Sequence, residues 1–134
     1  YLKNKLKKYN IPYFHSYLKN YAELKNYYHA LDIYLITSRI EGGPKGLIEA
    51  MATGIPVVSS KVGMANDIIE NGYNGMINNV DDTDGLVNSI ENLLNNTFLR
   101  ESIVSNALDC INKYSWDKVI KKYQNIYKKF GFDL

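Results

Sequence analysis

A single cysteine, three prolines and two histidines in 134 residues exclude a good deal. Cys110 alone cannot close an intrachain disulfide. Neither it nor the histidines fall at a metal-ligand spacing such as two His four apart, so no metal is expected. So little thiol chemistry fits a reducing compartment, and a cytoplasmic location is the expectation. No apolar run approaches the ~20 residues that span a bilayer, and no stretch reads as a secretory leader. A net charge of only +2 gives no reason to expect a nucleic-acid partner. What is present, 46% hydrophobic and 22% charged residues, is ordinary for one globular domain with a real core. Residues 1–134 are therefore read as a single domain. The start at Tyr1 rather than Met, inside a helix-like stretch, leads us to expect a piece of a longer protein.

Periodicity predicts alternating strands and helices. Leu2 and Leu6 stand four apart in a Lys-rich helix end. Ile11–Phe14 is a short strand candidate, Ala22–Ala30 a helix, and Ile33–Thr37 a buried strand. Pro44 suits the first position of the next helix, with Leu47, Ile48, Met51 and Ala52 inward and Gly54 as its stop. Val57–Ser59 is a strand, Ala65–Ile69 a short helix and Gly75–Ile77 a fourth strand. Asp81 or Asp82 caps a helix reaching Leu94, with Leu86, Ile90, Leu93 and Leu94 inward. Phe98–Lys113 and Trp116–Phe130 are helices, the last with Ser115 as N-cap. This order predicts a three-layer, Rossmann-like α/β fold: a four-stranded parallel sheet flanked by helices, with Ile33–Thr37 and Val57–Ser59 central. Ligands in such folds bind at the carboxyl ends of the strands.

One segment lies at that place and carries chemistry. Thr37–Pro56 reads Thr-Ser-Arg-Ile-Glu-Gly-Gly-Pro-Lys-Gly-Leu-Ile-Glu-Ala-Met-Ala-Thr-Gly-Ile-Pro. Two carboxylates, Glu41 and Glu49, flank a Gly-Gly pair and a helix start. A helix start offers unbonded N–H groups and a partial positive charge, which suit a phosphate. Arg39 and Lys61, near strand ends, are weaker phosphate candidates. His15 and His29 read as structural or exposed, and Cys110 as a small buried hydrophobe.

The ordered set resembles glycosyltransferase family 4, a retaining family of GT-B fold. Its motif is Glu, seven residues, Glu-Ala-Met-Ala, then Gly-x-Pro-Val-Val. Here it reads Glu41 through Glu49-Ala50-Met51-Ala52 and on to Gly54-Ile55-Pro56-Val57-Val58. The likeness continues through Val62-Gly63, Asp67-Ile68-Ile69, Gly72-Tyr73-Asn74-Gly75, Asp81-Asp82 and Ser115-Trp116, and upstream through Tyr28–Ser38. It implies most of a C-terminal GT-B domain, which binds a UDP- or GDP-sugar as substrate, without cofactor or metal, and lacks its first strands. Glu41 would bind hydroxyls of the transferred sugar and act as the catalytic residue. Glu49 would hold the ribose diol. Gly42, Gly43, Lys45, Gly46 and Leu47 would surround the diphosphate, with the Lys45 and Gly46 amides facing it. Ser16 and Tyr17 would flank the base, although glycine is usual where Ser16 stands, and Pro44 removes one N–H from the loop. The glycan or lipid-linked acceptor would bind an N-terminal domain outside this sequence. The alternatives are a non-catalytic nucleotide- or partner-binding module of the same fold and a GT-B-type sugar-nucleotide epimerase.

The last helix places Trp116, Val119, Ile120, Tyr123, Ile126, Tyr127 and Phe130 on one face and Lys118, Lys121, Lys122, Lys128 and Lys129 mostly on the other. Packing on the domain with a solvated Lys face is the favoured reading. Peripheral contact with the inner face of an anionic membrane is the second. Uncovered sheet edge and helix surface would also promote self-association.

Overall fold

The computed structural model describes residues 2–17 and 20–132. Its elements are α1 (Leu2–Lys8), α2 (Tyr21–His29), β1 (Tyr34–Ile36), α3 (Lys45–Ala52), β2 (Val57–Ser60), α4 (Ala65–Ile68), β3 (Met76–Asn78), α5 (Thr83–Asn95), α6 (Thr97–Ile111), a 3-10 turn (Asn112–Tyr114) and α7 (Trp116–Lys129). The three strands form a parallel sheet in the order β1-β2-β3, with Tyr34 opposite Val57 and Val58 opposite Met76.

Side chains alternate across this sheet, so its two faces feed two clusters. On one side Ile36, Val57 and Ile77 pack with Leu47, Ala50 and Met51 of α3 and with Ala65 and Ile68 of α4. On the other, Val58 packs with Leu86 and Leu93 of α5. α6 joins both layers, with Ala107 and Ile111 in the first cluster and Ile103 in the second. The sheet covered on both faces is thus as the alternating pattern predicts.

Local signals account for most boundaries. Asn20, Asp82 and Asn96 cap α2, α5 and α6 by accepting from the N–H of Glu23, Gly85 and Leu99, which satisfies an otherwise orphaned donor. α3 ends in a Schellman motif. The Ile55 N–H bonds to the Ala50 carbonyl and the Gly54 N–H to the Met51 carbonyl, with Gly54 at φ +75°, a conformation glycine adopts without a Cβ clash.

Several expectations require correction. Ile11–Phe14 is not a strand: it carries no ladder and Phe14 is 81% exposed. A strand exists only through its partner, and β1–β3 leave this segment none. The sheet among the described residues therefore has three strands, with β2 central and β1 at an edge, where Leu35 is 44% exposed. Pro44 is the N-cap of α3 rather than its first residue, with ψ 100°. Ala52 and Leu94 face solvent, while Ala50 takes an inward position. Ser115 caps α7 through its carbonyl, not its side chain. No residue of α7 is buried and Trp116 is 78% exposed, so among the described residues its apolar face is left largely uncovered. Cys110 is only half-buried.

Candidate functional site

Because the strands are parallel, the loops after β1, β2 and β3 emerge at one end of the sheet. Three contacts tie them together. The buried Ser60 hydroxyl, at the end of β2, donates to the Ser38 carbonyl at 2.6 Å and holds the chain as it leaves β1. The Met64 N–H donates to the Gly42 carbonyl at 3.3 Å. Arg39 Nε donates to Asp81 Oδ1 at 2.7 Å, linking the loop after β1 to the one after β3. That pair is exposed, so it adds little stability, and Arg39 already has an anionic partner.

Gly63 sets how closely these loops approach. It has φ +43°, and a Cβ there would collide with the Glu41 and Gly42 carbonyl oxygens. Gly43 faces Met64 Sδ, which would lie 3.1 Å from an added Cβ, whereas Gly42 has open space. The loop carrying Glu41 is therefore pinned from below by Gly63, Met64 and Ser60 and open above. Glu41 itself is exposed, and its Oε1 accepts from the Ser38 hydroxyl at 3.0 Å.

Glu49 lies on the second turn of α3, half-buried, and its Oε2 accepts from the Tyr28 hydroxyl at 2.9 Å. Tyr28 sits on α2 and is 4% exposed. Burial first, and then the bond to Glu49, push its ionisation above the ordinary tyrosine range, so the hydroxyl keeps its proton and remains a donor. The Tyr34 ring of β1 lies 5.6 Å from that of Tyr28. The Tyr34 hydroxyl occupies the space a Cβ would need at Gly46, and the Tyr28 hydroxyl would lie 3.2 Å from it.

At the start of α3, Lys45 is exposed and Gly46 half-buried, and their amides stand where a helix provides no internal acceptor. The Leu47 N–H bonds to the Pro44 carbonyl at 3.0 Å, and the Leu47 side chain is fully buried. Beside Glu49 lie two hollows. One of about 410 Å³ is lined by Lys45, Ile48, Met64, Tyr114, Trp116 and Val119. The other, of about 250 Å³, is lined by Leu24, Lys25, Tyr28, Ala52 and Thr53. Ser16 and Tyr17 are exposed. Their contacts stay within their own segment, where Ser16 reaches the Tyr17 carbonyl at 3.5 Å and His15 meets the Tyr17 ring edge-on. Thus Glu41, Gly42, Gly43, Lys45, Gly46 and Glu49 cluster about the start of α3, Leu47 belongs to the core beneath it, and no hydrogen bond described above joins Ser16 or Tyr17 to it. Sequence reasoning did not pick out Tyr28, Tyr34, Ser60 or Gly63 as parts of the site. Among the described residues no three His, Cys, Asp or Glu side chains group so as to hold a metal ion.

A parallel sheet with helices on both faces, and a glycine-rich loop leading to a helix start at its carboxyl end, defines a Rossmann-like domain. The chain matches the family described as "Glycosyl transferases group 1" over residues 1–109. It is 39% identical over 108 residues to an uncharacterised glycosyltransferase of Methanocaldococcus jannaschii, covering 78% of this chain and 27% of that protein. The C-terminal domain of the group 1 glycosyltransferase LpcC of Francisella tularensis superposes with a TM-score of 0.78 at 27% identity, covering 86% of this chain and 61% of that one. Anabaena HepE, solved with UDP-glucose, gives 0.80 at 25% identity over 98% of this chain and 36% of its own. The chain belongs to the group 1 glycosyltransferase family, and its fold is that of the C-terminal domain of a GT-B enzyme. It spans about a third of the length of the curated relatives it matches, 32%, 27% and 30% for three of them.

Proposed function

We propose that this domain holds the nucleotide-sugar donor of a retaining glycosyl transfer of the family 4 type, with a glycan or lipid-linked acceptor bound by another part of the enzyme. The observation that carries the reading is the pair of carboxylates about the start of α3, at the carboxyl end of the sheet. HepE, of the same fold, was solved with UDP-glucose, which supports a nucleotide sugar as the ligand. Glu49 accepts hydrogen bonds from the ribose diol. Glu41, on the open side of the loop, accepts from hydroxyls of the transferred sugar. The Lys45 and Gly46 amides and the positive end of the α3 dipole stabilise the diphosphate as it leaves and gains charge. Those groups neutralise the leaving group without a metal. Ser16 and Tyr17 flank the base when nucleotide is bound.

The setting we propose is cell-envelope polysaccharide synthesis on the cytoplasmic side of the membrane. The Lys-rich α7 with its uncovered apolar side suits a peripheral location there. No helix among the described residues is long and apolar enough to cross a membrane.

NMR titration with UDP, GDP and their sugars tests the donor reading. Shifts should centre on residues 41–49 and saturate in the millimolar range, or about 4 kcal/mol. Glu49→Gln should weaken nucleotide binding by about 1.5–3 kcal/mol, the worth of a charged hydrogen bond. Unchanged affinity in that variant removes Glu49 from the ribose.

A further inference from the structure

Glu49 reaches its position through a residue 21 positions earlier in the chain. That residue holds one oxygen of the Glu49 carboxylate. Tyr28, packed into the core from α2, meets it with a hydroxyl at 2.9 Å. The contact is built from three elements. Tyr28 comes from α2, Tyr34 from β1 leans against its ring at a 57° tilt, and α3 supplies both Glu49 and the missing Cβ at Gly46. At Gly46 an added Cβ would lie 3.2 Å from the Tyr28 hydroxyl and would overlap that of Tyr34. Glycine is an unfavourable residue inside a helix, so its presence here is explained by the space the Tyr34 hydroxyl requires beside Tyr28.

A buried tyrosine usually finds some acceptor, and a backbone carbonyl would serve its stability as well. Tyr28 instead donates to the side chain that the proposed function places on the ribose. An ionised carboxylate has about four lone-pair sites, so it accepts from Tyr28 and from a diol together. The retained tyrosine proton keeps the direction of this bond fixed.

We infer that Tyr28 is a positioning residue for ribose recognition, fixing the plane of the Glu49 carboxylate so that it meets both ribose hydroxyls. The inference rests on the assignment of Glu49 to the ribose. It adds that selectivity for ribonucleotide over 2′-deoxynucleotide depends on a tyrosine that does not touch the nucleotide.

The test is NMR titration of the protein with UDP and GDP and with their 2′-deoxy forms. The parent protein should bind the ribo form about tenfold more tightly, as expected for one lost charged hydrogen bond. Tyr28→Phe keeps the ring and loses the hydroxyl. The ribo-to-deoxy ratio should fall to about twofold while the amide spectrum of the sheet is retained. In a Glu49→Gln background Tyr28→Phe should change the ratio no further. An unaltered ratio in a folded Tyr28→Phe protein overturns the positioning role and leaves Glu49 on the ribose. No ribo preference in the parent overturns the Glu49 assignment itself, and the inference with it. Should Tyr28→Phe fail to fold, the parent protein still decides. The Tyr28 hydroxyl proton, protected by its bond to Glu49, should persist in the ribonucleotide-saturated state, and its loss on binding overturns the inference.

Discussion

Gly63→Ala perturbs the loop cluster at its tightest point, and Gly72→Ala provides the control. Both glycines have positive φ, +43° and +77°, so alanine at either must adopt a left-handed conformation at about 1–2 kcal/mol. Each substitution also removes chain freedom from the unfolded state, which returns about 0.4–1 kcal/mol. At Gly72 nothing lies within 4 Å of an added Cβ, so the two effects leave a net loss of about 1 kcal/mol or less. At Gly63 the Cβ meets the Glu41 and Gly42 carbonyls. Backbone cannot rotate away as a flexible side chain does, and the forced displacement adds about 1–3 kcal/mol. Gly63→Ala should therefore cost about 1–4 kcal/mol, or about 4–16 °C in Tm for a domain of this size. Thermal and urea unfolding of both variants measure the difference. In the spectrum of the folded variant, Gly42 and Met64 amides should move most, since the bond between them spans the same gap. Equal losses for the two variants would refute the claim that Gly63 sets the height of the Glu41 loop.

Ser60→Ala should cost about 1–3 kcal/mol in urea unfolding, because the Ser38 carbonyl loses the donor that holds it at 2.6 Å. Asn74 is 3% exposed, accepts from the Glu70 N–H at 2.8 Å and donates to the Ile68 carbonyl at 2.9 Å. Asn74→Ala should lower stability by about 2–5 kcal/mol, and full stability would show that water replaces the side chain without penalty. Glu41→Ala, assayed in the active enzyme, should leave UDP or GDP affinity within about threefold but lower kcat/KM at least ~10²-fold, because the contacts proposed for it are to the sugar. Equal losses for nucleotide and nucleotide sugar would move Glu41 out of the sugar pocket.

The loop and helix start were legible because their residues are consecutive. Gly-Gly, Pro44, the apolar periodicity of α3 and the Gly54 stop are local signals, and each turned up within a residue or so of its expected place. What could not be read depends on partners distant in the chain. Ile11–Phe14 has the composition of a strand, but composition supplies no hydrogen-bonding neighbour. The apolar stripe of α7 shows that the helix has a face to cover and says nothing of what covers it, and among the described residues this domain does not. The bond from Tyr28 to Glu49 joins a tyrosine given no site role to a motif residue across two elements. A tyrosine near the end of α2 carries no mark of that role. Gly63 was visible only as part of a Val-Gly pair, because its meaning lies in the carbonyls above it.

The order β1-β2-β3 has a kinetic consequence. Each strand pairs with the next one along the chain, Tyr34 with Val57 and Val58 with Met76, so every pairing closes a loop of fewer than about 25 residues. Parallel sheets that interleave distant strands must pay for long closures before any contact rewards them. This one extends one neighbour at a time in the direction of synthesis, with α3 and α4 folding between successive strands. α6, which reaches both clusters, can dock only once β2 and its covering helices exist. These three strands can thus be assembled in the order of their synthesis, with α6 docking after them.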